Sequence, residues 1–118
     1  DIIRAGMESI GFLIYDILEQ MKPIATSWPK KLTASGGGAR SPLLQFIADL
    51  TGLPVCHSTM KDRTAYGVYQ LIRPKEKNLS KFEESYFNLT FHPSLAKDQQ
   101  KSKVNCWHKA LENAGLIK

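Results

Sequence analysis

The fold of this chain is decided by the stretch Ser35-Gly36-Gly37-Gly38-Ala39-Arg40-Ser41-Pro42. Three consecutive glycines have no Cβ, so the backbone can turn tightly there and a ligand can approach closely. Ser41 suits the N-cap and Pro42 the first position of a helix, which predicts a helix directly after the glycines. The unpaired N–H groups and the dipole at such a helix start favour an anion or the polar edge of a ring. The stretch is therefore either a nucleotide contact or a structural turn.

The segment before this stretch predicts a long helix over residues 2–21. Its apolar residues recur at intervals of three and four, which places them on one stripe: Ile3, Met7, Ile10, Ile14, Ile17 and Met21. Three more apolar residues widen the stripe, so we expect burial on more than one side. The acidic side chains are expected to face solvent: Glu8, Asp16 and Glu19. Pro23 ends the helix because it disfavours the helical conformation in the residue before it.

Short strands and helices alternate in the rest of the chain. Strands are predicted at 31–35 and 53–57, helices at 42–51, at about 62–72 and over a last segment from Val104 to Gly115, and mostly loop at 75–103. This order predicts an α/β fold with parallel strand pairing. Two short strands are too few for an independent sheet, so we expect further strands upstream of Asp1.

The composition is that of a soluble globular protein. The 118 residues carry a net charge of +5 and contain no run of apolar residues long enough to span a membrane, and the first residues do not resemble a signal peptide. Much of the positive charge follows position 72. Aromatic residues are not interleaved with these basic residues as they are in proteins that bind single strands, so we favour a solvated tail over a nucleic-acid surface. Cys56 and Cys106 are expected to be free thiols in a reducing cytosol. A zinc site that combines them with His57 and His108 is disfavoured, because the spacings are not those of known zinc fingers.

Three segments together resemble the FGGY family of carbohydrate kinases, in particular its glycerol kinase and xylulokinase branches. The first is residues 4–19, which begin Arg4-Ala5-Gly6-Met7-Glu8. The second is residues 35–55, where the glycine stretch is followed by Gln45, Ala48 and Asp49 and then by Gly52-Leu53-Pro54-Val55. The third is Asp62-Arg63-Thr64-Ala65-Tyr66-Gly67. A weaker resemblance, to the C-terminal tail of glycerol kinases, follows in Phe91-His92-Pro93 and Trp107-His108-Lys109-Ala110.

The resemblance implies the C-terminal portion of a ribonuclease-H-like (actin-like ATPase) domain. Residues 1–74 are then the end of the nucleotide-binding domain, and residues 75–118 a polar tail with a terminal helix. It also implies a cytoplasmic, ATP-dependent kinase that phosphorylates a sugar or polyol, with no nucleic-acid or membrane partner, and that can form homo-oligomers. The catalytic aspartate and the residues that hold the sugar, the phosphates and Mg²⁺ lie upstream in this family. We therefore expect no catalytic or metal-binding residue here, and no kinase activity from these 118 residues alone.

What the family places in this chain is the contact with the adenosine part of ATP. The resemblance assigns it to Gly36, Gly37, Gly38, Arg40 and Ser41. The guanidinium of Arg40 can stack on adenine or reach its edge. Ser41 serves as a helix cap or an adenine contact, and the cap is favoured.

Two further points stay open at the level of sequence. Gln45 and Asp49 are one helical turn apart, so they either face the cleft or form an exposed polar surface. The alternative function is a non-enzymatic basic α/β module that binds a partner or nucleic acid. Such a module has no need of three glycines before a helix, whereas a nucleotide cleft does.

Overall fold

The computed structural model describes residues 1–72 and 84–117 and contains four helices and three strands within them. In chain order the elements are α1 (Ile2–Met21), β1 (Leu32–Ala34), α2 (Ser41–Thr51), β2 (Val55–Ser58), α3 (Arg63–Ile72), β3 (Phe87–Phe91) and α4 (Lys97–Asn113), with a 3₁₀ turn at Lys22–Ile24. The predicted α/β class is confirmed. The first three helices are also confirmed, and their ends differ from the predicted ones by at most one or two residues. Pro74, which is expected to stop the third helix because proline cannot continue it, and the predicted loop at 75–83 lie outside the described residues.

The three strands form one small mixed sheet in the order β1-β2-β3. β1 and β2 are parallel, as predicted, and Ala34 lies opposite His57. β3 is antiparallel to β2, with a register shift between His57 and Ser58. The predicted loop over 75–103 is therefore wrong at β3 and at the start of α4. β3 was not predicted because its three central residues are exposed, so the strand shows no alternation of buried and exposed positions. The strand forms by pairing with β2.

The core forms where α2 packs between the sheet and α1. Its buried members are Leu43, Leu44, Ile47 and Ala48 from α2 and Val55 from β2. Met7 and Ile14 of α1 pack against this cluster. At Gly11 the helices approach so closely that a Cβ there would lie 2.6 Å from Cδ1 of Phe46. A side chain at this position would therefore displace the Phe46 ring, and α2 is held between α1 and the sheet.

One face of α1 stays uncovered within the described residues. Met7 and Ile14 face α2, but Ile3, Ile10 and Ile17 are 84%, 47% and 58% exposed. The predicted burial of the apolar stripe is therefore wrong at Ile3, Ile10 and Ile17 in the part of the chain that is described. The physical reason is that α2 packs on Met7 and Ile14 and α4 on Phe12, while the remaining face of α1 stays exposed in the described part of the chain.

The terminal helix α4 is attached to α1 through Asp16. Its Oδ2 accepts a hydrogen bond from Nε1 of Trp107 at 2.9 Å, and its Oδ1 lies 2.8 Å from Nε2 of His108. The Trp107 ring also stacks on Phe12, with 5.1 Å between ring centroids and 6° between planes. The expectation that Asp16 faces solvent is therefore wrong, because this carboxylate joins two helices that are far apart in sequence.

Replacing Trp107 by Phe is expected to lower the free energy of unfolding by about 1–2 kcal/mol, because the ring stacking is kept while a hydrogen bond to a half-buried carboxylate is lost. Urea denaturation of the 118-residue chain measures the change. Trp28→Phe is the matched control, since Trp28 lies at the surface and its ring makes a cation–π contact with Lys22. Equal losses in the two variants would show that the bond to Asp16 contributes nothing.

Candidate functional site

The glycine stretch forms a tight loop between β1 and α2. Gly36 has a φ of +96°, a left-handed conformation that favours glycine. The N–H of Ala39 donates to the carbonyl of Gly36 at 3.1 Å, and the N–H of Arg40 to that of Gly38 at 2.8 Å. Gly37 and Gly38 have no positive φ. The turn itself therefore requires glycine at position 36 but not at 37 or 38.

The backbone of this loop is open to the surroundings. A Cβ added to Gly36, Gly37 or Gly38 would meet no protein atom within 4 Å. Arg40 and Ser41, which follow them, are exposed as well. The five residues that the sequence analysis selects thus form one accessible surface at the start of α2.

The start of α2 differs by one residue from the sequence-based prediction. The N-cap is Arg40, whose φ of −90° and ψ of 141° are extended, and Ser41 is the first helical residue. Pro42 lies in the first turn, and no side-chain hydrogen bond caps this helix. The predicted capping role of Ser41 is therefore wrong, because a capping side chain belongs to the residue before the helix and accepts hydrogen bonds from the N–H groups of the second or third helical residue.

A cavity of about 380 Å³ lies beside the loop. It is lined by Gly36, Gly37, His57, Ser58, Thr59, Met60 and Lys61. Because β1 and β2 are parallel, their carboxyl ends meet at the same edge of the sheet, which brings the residues after β2 next to the glycines. Ligands of open α/β sheets bind outside this edge. The sequence analysis missed His57 and Lys61 as wall residues, although their positions at the end of the second parallel strand and shortly after it were a usable signal.

Gln45 and Asp49 have a structural role that neither sequence-based interpretation included. Nε2 of Gln45 donates to Oδ1 of Asp49 at 3.0 Å and to the carbonyl of His92 at 2.9 Å. The same Oδ1 accepts from the N–H groups of Ser94 and Leu95, at 2.7 and 3.2 Å. These residues therefore hold the segment between β3 and α4 against α2.

The described residues offer little else for metal or thiol chemistry. No group of three or more His, Cys, Asp or Glu side chains in residues 1–72 and 84–117 could hold a metal ion. Both cysteines are free: Cys56 is buried in β2 and Cys106 is exposed on α4. Among the described helices, none has the length and apolar character needed to cross a membrane.

The chain matches known proteins of one kind. Residues 1–71 match the profile of the FGGY family of carbohydrate kinases, C-terminal domain. The chain is 31% identical to a glycerol kinase of Janthinobacterium sp. (strain Marseille) and 33% identical to one of Dechloromonas aromatica, in each case over 96% of its own length and 24% of theirs. It thus spans about a quarter of the length of these curated relatives.

A solved structure shares the fold. The crystal structure of Plasmodium falciparum glycerol kinase with ADP superimposes with a TM-score of 0.74 at 23% identity, over 98% of this chain and 24% of that one. The expectation of an α/β fold of the actin-like ATPase type is in agreement with this match. The antiparallel strand β3 adds to the short parallel strands that the sequence predicts.

Proposed function

The chain belongs to the FGGY family of carbohydrate kinases, in its C-terminal domain, and we propose that it forms part of an enzyme that transfers the γ-phosphoryl group of ATP to a hydroxyl of a sugar or glycerol. The part played by these residues is to supply the wall of the pocket that receives the adenosine moiety. The interpretation as a non-enzymatic basic module has no support among the related proteins.

The observation that carries this proposal is the open glycine loop at the carboxyl edge of the parallel strands. Gly36, Gly37 and Gly38 present backbone with space where side chains would be. This fits a flat nucleoside, which can approach the backbone directly, with Arg40 beside it to stack on the adenine. That a glycerol kinase of the same fold was solved with ADP supports a nucleotide as the ligand.

Phosphoryl transfer needs groups that we propose to lie outside this chain. It proceeds by positioning and charge stabilisation, with Mg²⁺ bridging phosphates and a carboxylate accepting the proton of the hydroxyl. Since no described cluster fits a metal ion, we derive no step through Mg²⁺ and propose that residues outside this chain hold it. The sugar site and the catalytic carboxylate belong there too.

The uncovered apolar face of α1 also indicates that this chain is part of a larger enzyme. Ile10, Leu13 and Ile17 are each about half exposed on one side of a helix whose other side is packed. We propose that the rest of the kinase covers this face. The boundary near residue 74, the cytoplasmic location and homo-oligomer formation remain part of this proposal.

The test uses the complete polypeptide that carries this sequence. ADP release is measured with ATP and glycerol, and with ATP and common pentuloses; we expect production of ADP that depends on one of these acceptors. Failure of the complete polypeptide to bind ATP or to turn it over with any acceptor would overturn the proposed function.

The 118-residue chain alone is expected to show no turnover above a no-protein control, because no catalytic base or phosphate loop is proposed within it. The same assay measures this, with the complete polypeptide at equal concentration as the positive control. Turnover by the short chain would contradict the assignment of the catalytic residues to the rest of the enzyme.

Replacing Arg40 by Ala in the complete enzyme is expected to weaken ATP binding by about 1 kcal/mol, the size of a partly desolvated cation–π contact. This is roughly a five- to tenfold rise in Kd, measurable by calorimetry. Arg40→Lys should recover part of the loss, because an ammonium lacks the planar face. Discrimination between ATP and GTP should narrow. If affinity and base preference both stay unchanged in Arg40→Ala, the residue does not contact the base.

A further inference from the structure

The cavity beside the glycine loop has a second wall, formed by the end of β2 and the residues after it. We propose that His57 and Lys61 contact the nucleoside and set the selectivity of the site among nucleosides. This inference rests on the proposed function and extends it to residues that the family resemblance did not select. The cavity of about 380 Å³ is within the range of roughly 300–1,000 Å³ that is usual for small-molecule sites.

The position of His57 follows from the sheet. Alternate residues of a strand face the same side, so His57 shares the face of Val55, against which α2 packs. His57 also lies opposite Ala34, one residue before the stretch that begins at Ser35. The register shift between His57 and Ser58 falls at this point. Such irregularities re-aim side chains and are frequent beside active sites.

The position of Lys61 is held by internal hydrogen bonds of the residues before it. The hydroxyl of Thr59 donates to the carbonyl of Tyr86 at 3.0 Å, and the N–H of Met60 donates to the hydroxyl of Ser58 at 3.3 Å. Met60 is 8% exposed, so this segment is anchored to the body of the domain. Lys61 follows it directly and is exposed.

Two side chains of this wall, those of His57 and Lys61, are therefore the candidates for contact with a ligand. The hydroxyls of Ser58 and Thr59 already take part in internal bonds. The side chains of His57 and Lys61 have no hydrogen bond or ion pair to any residue in the described ranges 1–72 and 84–117. An imidazole can meet a base by its face or its edge, and an ammonium can donate to ring nitrogens and ribose oxygens. Both groups share the cavity with Gly36 and Gly37, which are proposed to meet the nucleoside.

The test compares adenosine with ATP in the complete enzyme. His57→Ala and Lys61→Met are each expected to raise the Kd of adenosine and of ATP by the same factor, about three- to tenfold, the effect of one lost hydrogen bond. The ratio of the Kd of guanosine to the Kd of adenosine should change in both variants. His57→Gln is the second variant at the strand position, and thermal denaturation verifies folding.

The matched controls lie at the opposite edge of the sheet. His92 follows the end of β3 that pairs with Val55, and Lys30 precedes β1. Both are exposed, and His92→Ala and Lys30→Met are expected to leave every affinity unchanged. The controls remove an imidazole or a positive charge elsewhere on the surface. They therefore show whether a change in affinity comes from the cavity wall or from the loss of such a group in general.

The outcomes separate this inference from the function on which it rests. If Lys61→Met weakens ATP but not adenosine, Lys61 meets the phosphates and its assignment to the nucleoside is overturned. If both variants bind like the unaltered enzyme while Gly37→Val binds ATP weakly, the inference fails and the proposed function stands. If the unaltered enzyme binds neither adenosine nor ATP, both fail.

Discussion

Replacing Gly37 by Val in the complete kinase is expected to raise the apparent KM for ATP roughly tenfold or more, while the KM for the phosphoryl acceptor stays nearly unchanged. The reason is steric. A Cβ at Gly37 meets no protein atom within 4 Å, and this glycine has no positive φ, so the loop itself tolerates a side chain. What the branched side chain would obstruct is the close approach of the nucleotide. Steady-state kinetics with each substrate varied in turn measures the effect.

Two controls isolate this effect from a change in folding. Gly36→Ala alters the glycine whose φ of +96° disfavours any side chain, so it reports the cost of straining the turn. Gly6→Ala alters an exposed helical glycine with no atom within 4 Å of the added Cβ, and should leave both KM values unchanged. A normal KM for ATP in a correctly folded Gly37→Val enzyme would show that the loop serves only as a turn.

The second large effect is expected at Asp49, where replacement by Ala should lower the free energy of unfolding by about 3 kcal/mol. Its Oδ1 accepts four hydrogen bonds: from Nε2 of Gln45, from the N–H and hydroxyl of Ser94, and from the N–H of Leu95. The last three hold the segment that leads into α4 against α2. Of the four bonds, those from Gln45 and Leu95 are partly buried, and a partly buried donor left without an acceptor costs more than the loss of an exposed bond.

Two further variants define the origin of that loss. Asp49→Asn keeps an acceptor oxygen but removes its charge, so about half of the destabilisation is expected, because charge-assisted bonds are roughly twice as strong as neutral ones. Glu112→Ala removes an exposed acidic side chain from α4 and should change stability little. Urea denaturation of the 118-residue chain measures all three. The explanation would be wrong if Asp49→Ala and Glu112→Ala were equally stable.

Local signals in the sequence were sufficient for most of the helices and for the loop at the candidate site. Pro23 predicts the end of α1, which stops at Met21, and Gly52 predicts the end of α2, where it adopts a left-handed φ of +69°. The glycine stretch predicts the junction of β1 and α2. These features depend on the backbone preferences of a few adjacent residues, which is why they can be derived without knowledge of the rest of the fold.

Contacts between distant residues were decided by the tertiary structure alone. Asp16 bonds to Trp107 and His108, 91 and 92 positions away, and Asp49 bonds to Ser94, 45 positions away. In the sequence, such acidic residues on a helix are indistinguishable from solvent-facing ones. Their partners become apparent only when the helices pack.

The sequence by itself therefore determined the family, the α/β class and the position of the glycine loop. Only the tertiary structure decided which faces of α1 are covered, that β3 pairs with β2, and that His57 and Lys61 share a cavity with Gly36 and Gly37. The physical reason is that backbone preference is a property of neighbouring residues. Burial, strand pairing and cavity walls, by contrast, depend on which surfaces meet when segments far apart in the chain come together.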